Sequence, residues 1–176
     1  IDFAGVMEYI LPYQVATQFI KLNGKGPLLD VGAGTGLLGI EISKFNKIEM
    51  HATDISEEML SVAKKKGIYS KSILGDLTKG LPILDNTYNG IVSSGTFTHG
   101  HVGPEALFEI TRILSKGGLA VLSVNSKHWH SLGFDDVLEM LKETGLVANV
   151  TEVRIYGDKC EADTKDDTAY LLTLSA

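Results

Sequence analysis

The run Leu28-Leu29-Asp30-Val31-Gly32-Ala33-Gly34-Thr35-Gly36 constrains this chain more than any other stretch. Its apolar part is short and stops at Val31, where three alternate glycines begin. A brief, nearly continuous apolar run of this kind reads as a strand buried on both faces, as in parallel sheets. Glycine adopts positive φ without penalty and lets the backbone approach a ligand with no Cβ in the way. Beyond the glycines, Leu38, Ile42 and Phe45 fall on one face at helical spacing. The segment therefore reads as strand, tight turn and helix, with free backbone amides at the helix start.

The same alternation extends in both directions. Leu11 to Leu22 reads as a helix that leads through Asn23-Gly24 into the first strand. Ile48 to Thr53 reads as the second strand, and Ser56 as the cap of a helix whose first turn carries Glu57 and Glu58. Ser72 to Leu74, Gly90 to Ser94 and Leu119 to Val124 read as the third, fourth and fifth strands. Between the last two, a helix is expected over Pro104 to Leu114, ending at Gly117-Gly118. After a helix over Phe134 to Thr144, Val147 to Ile155 and Ala169 to Leu174 read as two more strands, with no helix between them. Consecutive strands without a crossover pair antiparallel. The expectation is an α/β fold: a Rossmann-like, seven-stranded, mostly parallel sheet with an antiparallel C-terminal hairpin and helices on both faces. The acidic stretch from Gly157 to Asp167 is the one candidate mobile loop.

Composition narrows the class. A chain of 176 residues, 44% hydrophobic and 22% charged, suits a single soluble domain spanning 1–176. The net charge of -6 gives no electrostatic footprint for a phosphate backbone, so nucleic acid is not expected as a partner. Cys160 is the only cysteine, which rules out an internal disulfide and fits a cytoplasmic location. No apolar run is long enough to span a membrane, and no signal peptide is evident. The chain opens at Ile1 instead of a methionine, so the N-terminal element is expected to be incomplete.

Two ligand readings fit the glycine-rich turn. Gly34, Gly36 and Gly39 match G-x-G-x-x-G, and Asp54 follows about 20 residues on, as in a dinucleotide site serving an NAD(P)-dependent oxidoreductase. That frame needs the strand to run through Gly32-Ala33, whereas the apolar run ends at Val31. An acidic residue closing the strand, followed by Gly32-x-Gly34-x-Gly36, instead resembles motif I of class I S-adenosylmethionine-dependent methyltransferases. Nearly the whole chain is similar to the small ubiquinone-biosynthesis-like and Williams-Beuren-region methyltransferase-like group. Tyr9-Ile10-Leu11-Pro12, Glu58-Met59-Leu60, Gly67-Ile68-Tyr69 and Leu114-Ser115-Lys116-Gly117-Gly118-Leu119 carry that resemblance.

The resemblance implies S-adenosylmethionine as cofactor and a small-molecule methyl acceptor. Asp30 would face the cofactor's cationic end, and the turn of Gly32, Ala33, Gly34, Thr35 and Gly36 its carboxylate. Asp54 would take the ribose hydroxyls, making Asp54→Ala far more damaging to affinity than to stability. Ile55 would cover the adenine and Met59 is expected at the cofactor, while in Gly75-Asp76-Leu77 the aspartate would accept from the adenine amino group and Leu77 pack on the ring. Ser93 and Ser94, with Gly95 and Thr96 after them, end the strand where methyl and acceptor meet. His99 and His101 are candidate general bases, because histidine titrates near neutral pH. Together with His128 and His130 they lack ligand-spaced partners, so no metal is expected.

Two familiar acceptor chemistries find no support. No Asn/Asp-Pro-Pro-Tyr-like tetrapeptide follows the fourth strand, and Cys160 lies far from it, which disfavours amino-group and cytosine-carbon methylation of DNA. A non-catalytic S-adenosylmethionine-binding protein is the remaining alternative. Members of the methyltransferase-like group that the chain resembles usually carry a covering segment ahead of the first helix. Its incompleteness here leaves Gly34, Asp54 and Thr96 facing an open cleft, as an expectation.

Overall fold

The computed structural model describes residues 8–45, 47–98, 101–160 and 163–176. Its elements are α1 (Leu11–Lys21), β1 (Leu28–Val31), α2 (Leu37–Ser43), β2 (Met50–Asp54), α3 (Glu57–Lys64) and β3 (Lys71–Leu74). A single 3-10 turn at Leu77–Lys79 follows. The chain continues through β4 (Tyr88–Phe97), α4 (Ala106–Ile113), β5 (Leu114–Asn125), α5 (Ser126–Leu132), α6 (Phe134–Glu143), β6 (Val147–Arg154) and β7 (Thr168–Ser175). Among the described residues no helix is long and apolar enough to cross a membrane.

The seven strands form one sheet in the order β3-β2-β1-β4-β5-β7-β6. The five strands from β3 to β5 are parallel, while β7 runs antiparallel to both β5 and β6. The expected C-terminal hairpin is present, with β7 on its inner side. This order differs from the all-parallel 3-2-1-4-5-6 sheet of dinucleotide-binding folds.

Strand β1 is buried along its length because both faces are covered. Leu29 and Val31 point into one core, shared with Leu107, Ile110, Trp129, Phe134 and Leu138 of α4, α5 and α6. Leu28 points into the other, with Val15, Phe19, Leu38, Ile42 and Leu60 of α1, α2 and α3. Alternation along a strand fixes these directions. It also sends Asp30, two residues from Leu28, toward the α2 and α3 side.

Three elements depart from the sequence reading. Helix α4 ends at Ile113, and the residues assigned to its tail begin β5 instead, in irregular register: Tyr88 pairs with Leu114 and Gly90 with Leu119. Helix α5 was not anticipated; Asn125 caps it, its Oδ1 accepting from the amides of Lys127 and His128 at 3.0 and 3.3 Å. Strand β4 runs on to Phe97, past a register shift in which Ser93 pairs with Leu122 and Phe97 with Val124. Ser94, Gly95 and Thr96 thus stand opposite Ser123 alone. Bulges of this kind re-aim side chains beside functional sites.

Candidate functional site

The parallel strands end together on one edge of the sheet, and the strand order reverses between β1 and β4. Ligands of open α/β sheets bind at that crevice. A cleft of about 680 Å³ lies there, within the size range of small-molecule sites. The turn after β1, the end of β2, the segment after β3 and the β4 bulge form its walls.

The turn is held from two sides. Ser93 and Thr96 donate from their hydroxyls to the carbonyl of Val31, at 2.7 and 3.1 Å. Asp54 grips the other side, its Oδ2 accepting from the Gly34 amide at 2.8 Å and its Oδ1 from the Ser56 amide at 2.9 Å. Gly32 has φ +67, and a Cβ there would overlap the Thr96 hydroxyl, so the turn can lie this close to β4 only with glycine. Gly34 has open space where its Cβ would be. We expect Gly32→Ala to cost at least about 2 kcal/mol, from positive φ and the collision together. A melting temperature unchanged in scanning calorimetry would show that the turn relaxes freely.

Asp30 is 1% exposed and receives the Tyr69 hydroxyl on Oδ2 at 2.6 Å. Among the described residues its Oδ1 has no partner of hydrogen-bonding geometry, although the Gly39 backbone lies close enough to lower the carboxyl slightly. Burial, with the nearby Asp54 charge adding to it, pushes the carboxyl up to about 7 despite the Tyr69 bond. Burial and the facing Asp30 likewise raise the Tyr69 hydroxyl above its ordinary value.

Of the residues expected at a ligand, Asp30, Gly32, Ala33, Gly34, Thr35, Asp54, Ile55, Met59, Gly75, Asp76, Leu77, Ser94 and His101 all border this cleft. Ile55 and Met59 are exposed, at 69% and 44%, as apolar side chains at its rim. Asp76 also caps the 3-10 turn through the Thr78 amide at 2.9 Å. Gly36 and Ser93 do not border it. Gly36 sits at the start of α2 against Tyr69, and Ser93 is fully buried on Val31. His99 lies outside the described residues, and among those residues no cluster suits a metal. Gly34, Asp54 and Thr96 are each half-buried at the cleft surface.

Sequence reasoning missed Tyr9. Its backbone bridges to Tyr156, and its hydroxyl meets Ser94 Oγ at 3.4 Å, so it crosses the open end of the cleft beside the bulge. Burial raises its hydroxyl above the ordinary tyrosine value, which keeps it a neutral phenol. Its presence in Tyr9-Ile10-Leu11-Pro12 was the available signal.

Comparisons with known proteins fit this geometry. The family model described as Methyltransferase domain matches residues 29–122, which run from β1 into β5. Human methyltransferase-like protein 27 is 28% identical over 123 residues, covering 68% of this chain and 50% of that protein. The chain thus spans about half the length of that relative. A SAM dependent methyltransferase from Aquifex aeolicus superposes with TM-score 0.66 at 20% identity, covering 99% of this chain and 94% of that one. The [4+2]-cyclase SpnF superposes with TM-score 0.67 at 19% identity, covering 93% and 79%. At such identities these structures speak for the fold.

Proposed function

The chain belongs to the methyltransferase domain family, and from that premise we propose that it binds S-adenosylmethionine in the cleft and methylates a small molecule. The observation that carries the reading is the charge of the walls. They hold Asp30, Asp54 and Asp76 but, among the described residues, no lysine or arginine. Asp76 is already paired with Lys79 at 3.2 Å, but a pyrophosphate would meet the Asp54 carboxylate with no lysine or arginine of the described walls to offset it. S-adenosylmethionine brings a sulfonium and an ammonium against one carboxylate, which suits such walls.

The amides of Gly32, Ala33 and Gly34 are spent on the Thr53 carbonyl and on Asp54, so the Thr35 part of the turn, at the cleft wall, would meet the methionyl carboxylate. Asp54 spends two acceptor positions on Gly34 and Ser56 and keeps its other lone pairs for ribose hydroxyls. Ile55, Met59 and Leu77 offer apolar surface to the adenine, with Asp76 beside them as acceptor for its amino group. Ser94 and its bulge neighbours face the acceptor. His101 is the described candidate to receive a proton from an O–H or N–H acceptor. When bound, S-adenosylmethionine would supply an electrophilic methyl group on its sulfonium for an acceptor lone pair. The protein's share is positioning and exclusion of water. Residues 1–176 act as one domain in this reading, with no metal and no nucleic-acid partner.

Calorimetric titration with S-adenosylhomocysteine and with NAD tests it. Binding of the first, with stabilisation of about 2.7 kcal/mol at a hundredfold excess over Kd, is expected. NAD binding without S-adenosylhomocysteine binding would return the turn to the dinucleotide reading.

A further inference from the structure

A second cavity, of about 370 Å³, shares Tyr9, Leu37, Gly95 and Thr98 with the cleft and continues past the β4 bulge toward β7. Its walls are largely apolar and aromatic. Phe97, Ile155, Tyr156 and Ala169 supply them, from β4 and the β6 and β7 ends. The polar groups are few and specific. Asn125 uses Oδ1 to cap α5, so its Nδ2 is left as a hydrogen-bond donor at the wall. Ser123 accepts the Gly95 amide at 3.3 Å and keeps its own hydroxyl proton to donate. Among the described residues the walls hold no lysine or arginine, and the one formal charge, Asp167, is already paired with Lys127 at 2.7 Å.

We propose that this cavity is the acceptor pocket and that it takes an uncharged, ring-containing molecule whose oxygen accepts hydrogen bonds from Asn125 and Ser123. The proposal rests on the cofactor reading above and adds the acceptor's chemical class. Apolar walls reward burial of a ring. An anionic acceptor would lose its hydration beside an ion pair whose cation, Lys127, is already taken by Asp167. Tyr9, Leu37, Gly95 and Thr98, which line both, form the border between the pocket and the cleft.

The test uses two near-isosteres, 4-hydroxyphenylacetamide and 4-hydroxyphenylacetate, titrated by NMR into the protein saturated with S-adenosylhomocysteine, whose own binding is read by calorimetry. The amide is expected to bind with the weak affinity of a fragment, and the acetate at least about tenfold more weakly, the cost of one uncompensated charge. Thr164→Lys places a cation on the exposed stretch at the cavity wall. It should raise acetate affinity severalfold relative to the amide and leave S-adenosylhomocysteine, in the separate cleft, unchanged. Equal or tighter binding of the acetate to the parent protein overturns the proposal, as does an acetate affinity that ignores Thr164→Lys. If S-adenosylhomocysteine binds and the amide does not, the pocket reading falls alone. If S-adenosylhomocysteine fails to bind, the cofactor reading falls and takes the acceptor role with it.

Discussion

Between pH 5.5 and pH 8 the protein is expected to lose about 2 kcal/mol of stability, and Asp30→Asn to remove most of that slope. In the folded state the Asp30 carboxyl is raised from 3.8 to about 7, chiefly by burial. The folded protein therefore keeps a proton that the unfolded chain gives up near pH 4. Its contribution is fully present below pH 4, declines as pH rises and levels off above about pH 7. The whole interval corresponds to an upper limit of about 4 kcal/mol. Asp76 and Asp158, hydrogen-bonded to Thr78 and Arg154, have lowered values and act in the opposite sense. Their effect lies below the ordinary carboxylate range and outside the interval from 5.5 to 8, and the difference in slope between parent and Asp30→Asn isolates the Asp30 contribution there. Asn can still accept the Tyr69 hydroxyl but brings an N–H2 group to the place of the unpartnered oxygen, so slopes are the quantity to compare. Urea unfolding at several pH values measures them, and a parent protein whose stability rises from 5.5 to 8 would contradict the raised value.

Asp54→Ala is expected to lower affinity for S-adenosylhomocysteine by roughly ten- to hundredfold and to lower the melting temperature as well. The sequence alone suggested that binding would suffer and stability would not. The structure changes the second half, because both carboxylate oxygens hold backbone amides of neighbouring turns, Gly34 and Ser56. Bonds to an ionised acceptor contribute about 1.5 to 3 kcal/mol each. The half-buried position lets water replace part of that. A loss of about 1 to 2 kcal/mol is the expectation, or roughly 2 to 8 °C for a chain of this size. Calorimetry on the free and ligand-saturated variant separates the two effects. Unchanged affinity with a lowered melting temperature would leave Asp54 as a clamp of the turn and nothing more.

Much of the architecture was legible because the relevant signals are local and periodic. Val31 ending an apolar run before Gly32 placed the strand, turn and helix, and Ser56 before Glu57 and Glu58 announced the cap, whose hydroxyl accepts the Met59 amide at 3.2 Å. The missing helix between Ile155 and Ala169 announced the hairpin. What escaped depends on contacts distant in sequence. Nothing near Asp30 reveals that Tyr69, 39 residues on, will take its carboxylate. Strand parity did carry half of that answer, since Asp30 must share the face of Leu28. Ser93 looked equal to Ser94, but the bulge that begins after it turns one hydroxyl onto Val31 and the other to the cleft. Leu114 to Gly118 ended a helix by glycine punctuation, yet Leu114 pairs with Tyr88 across the sheet.

The inner position of β7 sets the order in which the sheet can be completed. β6 precedes β7 in sequence yet touches β5 nowhere in the ladder, so it has no strand partner until β7 arrives. β7 also supplies both cores, Leu172 and Leu174 to one and Ala169 and Leu171 to the other. Its pairing with β5 joins residues as far apart as Leu119 and Ser175. Closing so long a loop before any reward is slow. During synthesis, the chain up to Asp167 would carry an unpaired β5 edge and two open cores, a state prone to wrong association. A nascent chain halted at that point should remain protease-sensitive, and protection should appear only once residues 168–175 have emerged.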